Sequence, residues 1–173
     1  TEPNGRVSYV AVKKIDVDIK NTTSNKLKNI IKDFKREVEL SYNTSKMGIS
    51  PFVYKSFYYI KNYIFTGIII MDLYDRSVED TYYEKLHTHD YVFIHSEMLK
   101  LMKLQIFNLG VFCTDIKPEN FVLKNEHRKF IIRSIDYGTD WCSSRMPKEF
   151  KTREYFYVII AIQLCLKIYI HTD

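Results

Sequence analysis

Apolar side chains recur along the first part of the chain at the spacings of one amphipathic helix and two strands. Residues 52–57 and 65–71 are rich in β-branched and aromatic residues, which favour strands. The turn between these two strands is predicted within residues 58–63. A helix is predicted over residues 26–47, where apolar side chains repeat at helical spacing: Leu27, Ile30, Ile31, Phe34, Val38 and Tyr42.

The amino-terminal segment predicts a hairpin. Asn4-Gly5 favours a tight two-residue turn, because both residues tolerate a positive φ. After it, Val10 and Val12 alternate with small or polar neighbours, which is typical of a strand. The chain is therefore expected to open inside a hairpin whose first strand is nearly absent.

The pattern changes to a helical one from Ser77, which can cap a first helix. A longer helix is predicted over residues 89–108, with Gly110 as its stop. Two short strands, residues 121–123 and 130–135, follow on either side of a polar turn.

The longest apolar stretch, residues 156–170, belongs to a helix predicted from Glu154 onward. A membrane span needs about 20 apolar residues with few or no charges. This stretch is shorter and contains Gln163 and Lys167. We therefore expect a buried core helix and no membrane partner.

Composition agrees with one folded domain. The chain has 173 residues, of which 46% are hydrophobic and 15% aromatic, so it can bury a core and global disorder is excluded. The formal net charge of +5 could attract acidic partners or nucleic acid, but a solvated lysine-rich surface is the preferred explanation. Because the tyrosine-rich stretches favour core packing over base stacking, nucleic acid is not expected as a partner.

The cysteines and histidines do not predict a disulfide framework or a zinc site. Cys113, Cys142 and Cys165 are odd in number and have no paired spacing. The five histidines are scattered, without a known ligand spacing. Unpaired cysteines favour a reducing, intracellular setting.

Three short segments could carry chemistry. The first is Val10-Ala11-Val12-Lys13, a lysine on a strand. The second is Asp115-Ile116-Lys117-Pro118-Glu119-Asn120, and the third is Asp136-Tyr137-Gly138 directly after an apolar strand. Glu37 lies between the first two, on the predicted helix.

These residue types suit phosphoryl transfer, in which charge on the moving phosphate must be neutralised and held in line. Lys13 on a strand can reach nucleotide phosphates, and Glu37 can hold that lysine in place. Asp115 could orient or deprotonate the attacking hydroxyl. Asn120 and Asp136 carry the hard oxygen ligands that Mg²⁺ prefers.

In these segments the chain resembles the eukaryotic-type Ser/Thr protein kinase superfamily, over about residues 7–169. The resemblance implies an α+β, two-lobed kinase-like fold that is incomplete at both ends. A small antiparallel-sheet lobe with one helix would occupy residues 1–72, a hinge residues 73–76, and a larger, mainly helical and partial lobe residues 77–173.

The resemblance also implies ATP and Mg²⁺ as cofactors and a role for each matching residue. Met71 takes the gatekeeper position, Asp72 and Tyr74 belong to the adenine-binding hinge, and Val122 floors the adenine pocket. In the catalytic loop, Lys117 favours Ser/Thr substrates over Tyr. That lysine also argues against the small-molecule antibiotic phosphotransferases, which lack it.

The chain departs from the family in four ways. None of its glycines forms a G-x-G-x-x-G phosphate loop, and Cys113-Thr114 replaces the usual His-Arg before the catalytic Asp. The segment after Asp136 is short and has no Ala-Pro-Glu, and most of the helical substrate platform is missing.

The short segment and the run at residues 136–141 are similar to divergent kinases of large DNA viruses, for which a host cytoplasm would be the setting.

The preferred interpretation is therefore an ATP-dependent Ser/Thr protein kinase with a protein substrate. The alternative is a pseudokinase that acts as a protein-interaction module, because the phosphate loop and the platform are missing. Each residue also has a plainer explanation when taken singly: Lys13 as a surface charge, Glu37 as a surface carboxylate, and Asp136 with Gly138 as an ordinary turn.

Overall fold

Three antiparallel strands form the first sheet of the structure. The computed structural model describes residues 9–84, 86–127 and 129–170. Strands β1 (Val10–Asp18), β2 (Val53–Lys61) and β3 (Ile64–Asp72) pair in the order β1-β3-β2. All three predicted strands are confirmed, but β1 and β2 extend further than expected. The predicted Asn4-Gly5 hairpin lies outside the described residues.

The turn between β2 and β3 is tighter than the sequence indicated. Asn62 and Tyr63 both have a positive φ, of 50° and 61°. Two consecutive residues in this conformation make the kind of turn whose twist matches that of a β-hairpin. The strands therefore pair almost to the turn itself, up to Lys61 opposite Ile64.

Helix α1 (Ser24–Lys46) packs on this sheet. The Thr23 side chain accepts a hydrogen bond from the Lys26 N–H and caps the first turn. The apolar face of the helix meets the sheet in a small core. The predicted helix over residues 26–47 is confirmed within two residues at either end. The fully or nearly buried members of this core are Phe34, Val53, Phe65 and Ile69.

The second part of the chain combines two helices with a small sheet. Strands β4 (Arg76–Ser77), β6 (Phe121–Glu126) and β7 (Lys129–Ser134) pair antiparallel in the order β4-β6-β7. Helices α2 (Thr88–Phe107) and α3 (Arg153–Ile170) contact each other, and α2 also packs against β7. The helix predicted over residues 89–108 and the two short strands are thus confirmed.

The helix predicted from Ser77 is corrected to a single 3-10 segment, Glu79–Tyr83. Ser77 pairs with Val122 in β4, so helical structure begins only after Val78. The Ser77 hydroxyl nevertheless accepts a hydrogen bond from the Asp80 N–H, at 3.2 Å. The local capping chemistry was therefore predicted correctly, while strand pairing shortened the helix.

The prediction that the cysteines are unpaired is wrong. Strand β5 (Phe112–Cys113) pairs antiparallel with β8 (Cys142–Ser143), and a disulfide joins Cys113 to Cys142. Each of these strands is two residues long. Because the two cysteines are 29 residues apart, the sequence carried no local sign of their pairing. The argument from unpaired cysteines for a reducing setting no longer holds.

Helix α3 is buried on one face only. Phe156, Ile160 and Leu164 are buried in the main core, whereas Val158 and Ile162 on the opposite face are about half exposed. The prediction of a buried core helix is therefore corrected to a helix that buries one face and exposes the other. Within the described ranges, no helix has the length and apolar character needed to cross a membrane.

These elements make a mixed α+β structure with small antiparallel sheets, and the described ranges contain three α-helices. This architecture is compatible with part of a kinase-like fold. The boundaries expected at residues 1–72, 73–76 and 77–173 stay a prediction.

Candidate active site

A lysine and two carboxylates from distant parts of the chain meet at the centre of the site. Lys13 of β1 donates to Glu37 Oε1 of α1 at 2.5 Å and to Asp136 Oδ1 after β7 at 2.6 Å. Lys13 and Asp136 are 123 residues apart in sequence. The structure thus brings together three of the residues that the sequence singled out.

Burial and charge act in opposite directions on Lys13. Partial burial by itself would lower the pKa of the Lys13 ammonium. The negative charges of Glu37 and Asp136 and their hydrogen bonds outweigh this effect and raise that pKa above its ordinary value. Lys13 therefore stays positively charged at physiological pH, in a position to attract an anion.

Strand alternation decides which lysine enters the site. Lys13 lies on the half-buried face of β1 with Ala11 and Ile15, while Lys14 points to the solvent-exposed face. There Lys14 forms an ion pair with Asp16. Lys14 is therefore a surface charge.

Packing of α1 places Glu37 opposite Lys13. Phe34, one helical turn earlier, packs edge-on against Phe65 and Tyr58 of the sheet. A Cβ atom at Gly67 would lie 2.5 Å from the Phe34 ring, so the close approach requires glycine there. Glu37 itself is buried, with 7% of its surface exposed.

Asp136 adopts a backbone conformation that is uncommon for a residue with a side chain. Its φ is +65°, in the left-handed region, which Asp and Asn tolerate better than most residues. The preceding Ile135 N–H donates to the Asn120 carbonyl at 2.8 Å. Outliers of this kind are concentrated at functional sites, where the surrounding structure holds them in place.

A second polar cluster lies beside the first. Lys117 Nζ is 2.8 Å from Asp115 Oδ2, and Asn120 Nδ2 donates to the Asp115 carbonyl at 2.8 Å. Pro118 begins the 3-10 segment Pro118–Asn120, which turns Asn120 back toward Asp115. Together with the Ile135–Asn120 bond, these contacts link the catalytic-loop candidates to the segment that carries Asp136.

The lysine also tunes the Asp115 carboxyl. The hydrogen bond from Lys117 is the main cause that lowers the pKa of Asp115 below its ordinary value, and the Asn120 amide acts in the same direction. The bond raises the pKa of Lys117 in return. Asp115 is therefore an ionised hydrogen-bond acceptor at neutral pH, better suited to orient a hydroxyl than to take its proton early.

A cavity of about 370 Å³ opens next to Lys13. Its walls are mostly apolar, and the charged side chains of Lys13, Glu37 and Asp136 are among its lining residues. This combination is typical of sites for small molecules. Five of the sequence-predicted site residues line the cavity: Lys13, Glu37, Met71, Asn120 and Asp136.

The other candidates lie away from the cavity walls. Asp115 and Lys117 connect to them through Asn120. Asp72 accepts hydrogen bonds from the Tyr54 hydroxyl and the Phe52 N–H. The Tyr74 ring lies under Lys124 Nζ, and Val122 is half-buried in β6. Of the expected adenine contacts, the structure thus places Met71 alone at the cavity.

The donor set fits Mg²⁺ bound together with phosphate. Mg²⁺ is typically held in proteins by one or two carboxylates, with substrate phosphates and water completing its shell. Asp136 and Asn120 provide side-chain oxygens on one wall, and Lys13 provides the adjacent positive charge. Among the described residues no group of three or more His, Cys, Asp or Glu could hold a metal without such help.

Comparison with known proteins gives one finding that bears on this site. The chain is 26% identical over 132 residues to calcium-dependent protein kinase 5 of Arabidopsis thaliana. The likeness supports a protein-kinase-like relationship. The match covers 72% of this chain but 22% of that protein, so the chain spans about a fifth of the relative's length. No protein-family model matches the chain.

A buried polar contact that the sequence did not predict joins Tyr137, Gln105 and Cys113 next to the site. Tyr137, directly after Asp136, is buried, and burial raises the pKa of its hydroxyl to about 12. Gln105 of α2 lies between this hydroxyl, at 3.5 Å, and Cys113 Sγ, at 3.1 Å. A glutamine on an otherwise apolar helix face was the sequence signal that could have revealed this buried contact.

Proposed function

We propose that this protein transfers the γ-phosphate of ATP to Ser or Thr hydroxyls of a protein substrate. The observation that carries the proposal is the contact of Lys13 with both Glu37 and Asp136, beside a cavity and next to the Asp115–Asn120 cluster. The likeness to a plant protein kinase adds support.

Each charged residue has a proposed role in that reaction. Lys13 binds nucleotide phosphate oxygens, and Glu37 holds the Lys13 side chain in place through their ion pair. Asn120 and Asp136 hold Mg²⁺, which neutralises phosphate charge when bound. Asp115 orients the attacking hydroxyl, and Lys117 offsets the negative charge on the phosphate as it moves.

The nucleotide base belongs against the apolar walls of the cavity in this proposal. Met71 lines the cavity already. Asp72, Tyr74 and Val122 would complete the base site through a local adjustment of the residues between β3 and β6. The proposed division of the chain into residues 1–72, 73–76 and 77–173 would place the base between the two larger parts.

A pseudokinase that serves as a protein-interaction module is the second candidate. The observation that favours it is the spacing of the five glycines, none of which forms a G-x-G-x-x-G phosphate loop. Such a module would keep the Lys13 ion pairs as structural contacts without transferring phosphate.

Transfer of labelled γ-phosphate from Mg-ATP to a generic protein substrate tests the proposal. We expect Lys13→Met and Asp136→Asn each to reduce the rate by about 10²–10³-fold, because each removes one electrostatic contact to the reacting phosphate. Asn accepts a positive φ, so Asp136→Asn keeps the backbone. Lys14→Met is the matched control and should retain the wild-type rate, because Lys14 is on the opposite face of β1.

Two results would decide against phosphoryl transfer. One is a wild-type protein that binds Mg-ATP, seen as a thermal shift, but transfers no phosphate; this result selects the pseudokinase. The other is a transfer rate that Asp136→Asn leaves unchanged, which would assign the observed activity to a contaminant.

A further inference from the structure

We propose that a basic groove along α1 binds an acidic segment of a partner polypeptide. This proposal is independent of the proposed phosphoryl transfer and concerns a different surface. The groove has a volume of about 820 Å³ and lies between α1, the residues after α2 and Ser144. We call it the α1 groove, and five cationic side chains line it: Lys28, Lys32, Lys35, Arg36 and Lys46.

The charge of the α1 groove is largely uncompensated. Glu39 is the one carboxylate among its lining residues, as far as the described ranges extend. Lys28, Lys32 and Lys35 are exposed and form no ion pair with any described residue. Lysines on solvated helices are commonly accompanied by carboxylates three or four residues away. Lys35 has such a neighbour in Glu39, whereas Lys28 and Lys32 have none. The resulting excess of positive charge attracts an anionic ligand.

Helical geometry arranges four of these lysines in one stripe. At 100° per residue, Lys28, Lys32, Lys35 and Lys46 lie within a narrow sector of α1. The stripe is about 27 Å long at 1.5 Å per residue. An extended peptide of about eight residues has the same length, at about 3.3 Å per residue.

Five apolar residues line the α1 groove beside its cations, and we call them its apolar floor: Ile31, Leu40, Met47, Leu109 and Val111. Leu40 and Val111 are buried, and the Met47 side chain is about half exposed. The groove therefore suits a segment that carries an apolar side chain among its carboxylates, since burying that side chain adds to the electrostatic attraction.

The same lining argues against the other anionic macromolecules. Single-stranded nucleic acids bind in basic grooves that also carry aromatic side chains for base stacking. No residue that lines the α1 groove is aromatic. A membrane surface is flat and would not contact the apolar floor of a concave groove. The chemistry on this surface thus favours an acidic polypeptide.

Fluorescence anisotropy with a labelled peptide of about eight residues tests this proposal. The peptide consists of Glu and Asp with one central Leu, and its amide counterpart of Gln and Asn serves as the neutral probe. We expect saturable binding of the acidic peptide that weakens with added salt, and no binding of the neutral probe. The measurement needs neither ATP nor phosphate transfer, so its result does not depend on whether the protein is a kinase.

Charge reversal within the α1 groove is the decisive variant. Lys32→Glu with Lys35→Glu should weaken binding about tenfold or more, since two attractions become repulsions. Lys148→Glu with Lys151→Glu makes the same change of net charge at exposed lysines outside the α1 groove. That control should bind as the wild type does, and circular dichroism should show the same helix content in all three proteins.

The apolar floor has its own variant. Met47→Ser should weaken binding by about threefold, because part of the buried apolar area is lost while the charge is unchanged. The proposal is overturned if the acidic peptide does not bind at low salt, or if both double variants weaken it equally. It is also overturned if Met47→Ser has no effect, or if a poly-dT oligonucleotide binds more tightly than the peptide.

Discussion

Individual lysine–carboxylate contacts determine the charge state of the candidate active site. Lys13 shares its ammonium between Glu37 and Asp136, and Lys117 holds the Asp115 carboxylate. These contacts raise the pKa of Lys13 and Lys117 and lower the pKa of Asp115, so these three groups are ionised at neutral pH. The site is therefore a set of fixed charges, and its response to pH depends on the pairs.

Removal of the Lys117 ammonium should change the titration of Asp115. In Lys117→Met we expect the pKa of Asp115 to rise toward the ordinary value for aspartate, since the main cause that lowers it is gone. Carboxyl chemical shifts of ¹³C-labelled aspartate measure this pKa directly. Lys124→Met is the control, because Lys124 pairs with Glu126 and should leave Asp115 unaffected.

The sign of the associated stability change follows from the lowered pKa of Asp115. The lowered pKa of Asp115 stabilises the folded protein at pH values above the pKa of aspartate in the unfolded chain. This stabilisation is lost as the pH falls through the pKa of Asp115 in the folded protein. Wild type and Lys117→Met should therefore differ in stability at neutral pH and converge in acid. A difference that persists unchanged at low pH would contradict this assignment.

At the scale of the elements, one glycine controls how closely α1 approaches the sheet. Phe34 lies directly over Gly67 of β3, and the same helix carries Glu37 to Lys13. A substitution at Gly67 should therefore shift α1 and so change the Lys13–Glu37 ion pair.

Gly67→Ala tests this connection. The added methyl group would lie 2.5 Å from the Phe34 ring, so the ring or the helix must move. We expect a loss of about 1–3 kcal/mol in the free energy of unfolding, measured in urea, because overpacking a well-filled core is destabilising. The smaller side chain of Phe34→Leu should relieve the clash.

A double-mutant cycle supplies the control. If the clash is the cause, Gly67→Ala with Phe34→Leu should be more stable than the sum of the two single effects indicates. Additive effects would instead mean that alanine harms β3 for another reason, such as pairing with Ile15 or Tyr58.

At the scale of the whole molecule, the Cys113–Cys142 disulfide joins the segment before Asp115 to the segment after Asp136. It closes a loop that contains Asp115, Lys117, Asn120 and Asp136 of the candidate active site. The Thr114 N–H also donates to the Trp141 carbonyl, at 2.9 Å. The relative position of Asp115 and Asp136 is therefore fixed covalently and by backbone pairing.

Opening this bond should cost stability. For cysteines 29 residues apart, the loop-closure argument gives about 3.6 kcal/mol in the free energy of unfolding. We expect a loss of this size in Cys113→Ala with Cys142→Ala, measured by urea unfolding. Cys165→Ala should have little effect, since Cys165 is free and exposed.

Thiol labelling provides an independent check of the same bond. Alkylation of the unfolded, unreduced chain should modify Cys165 alone, and mass spectrometry should find all three thiols modified after reduction. Three labelled thiols without reduction would contradict the pairing.

Local signals predicted most of the regular structure. The spacing of Phe34 and Val38 was enough for α1, and the β-branched run after Phe65 was enough for β3, because both patterns reflect burial of one face. The predictions failed where a distant partner decided the outcome. Ser77 pairs with Val122 rather than starting a helix, and the exposed face of α3 depends on what packs against it.

The sequence by itself determined which chemical groups the chain carries and in what order: a strand lysine, a helix glutamate, an Asp–Asn loop and an Asp before a glycine. Only the tertiary structure decided that Lys13 touches Asp136, 123 residues away, and that Cys113 bonds to Cys142. The physical reason is that periodicity and capping act within a few residues. Contacts between distant segments depend instead on how whole elements pack.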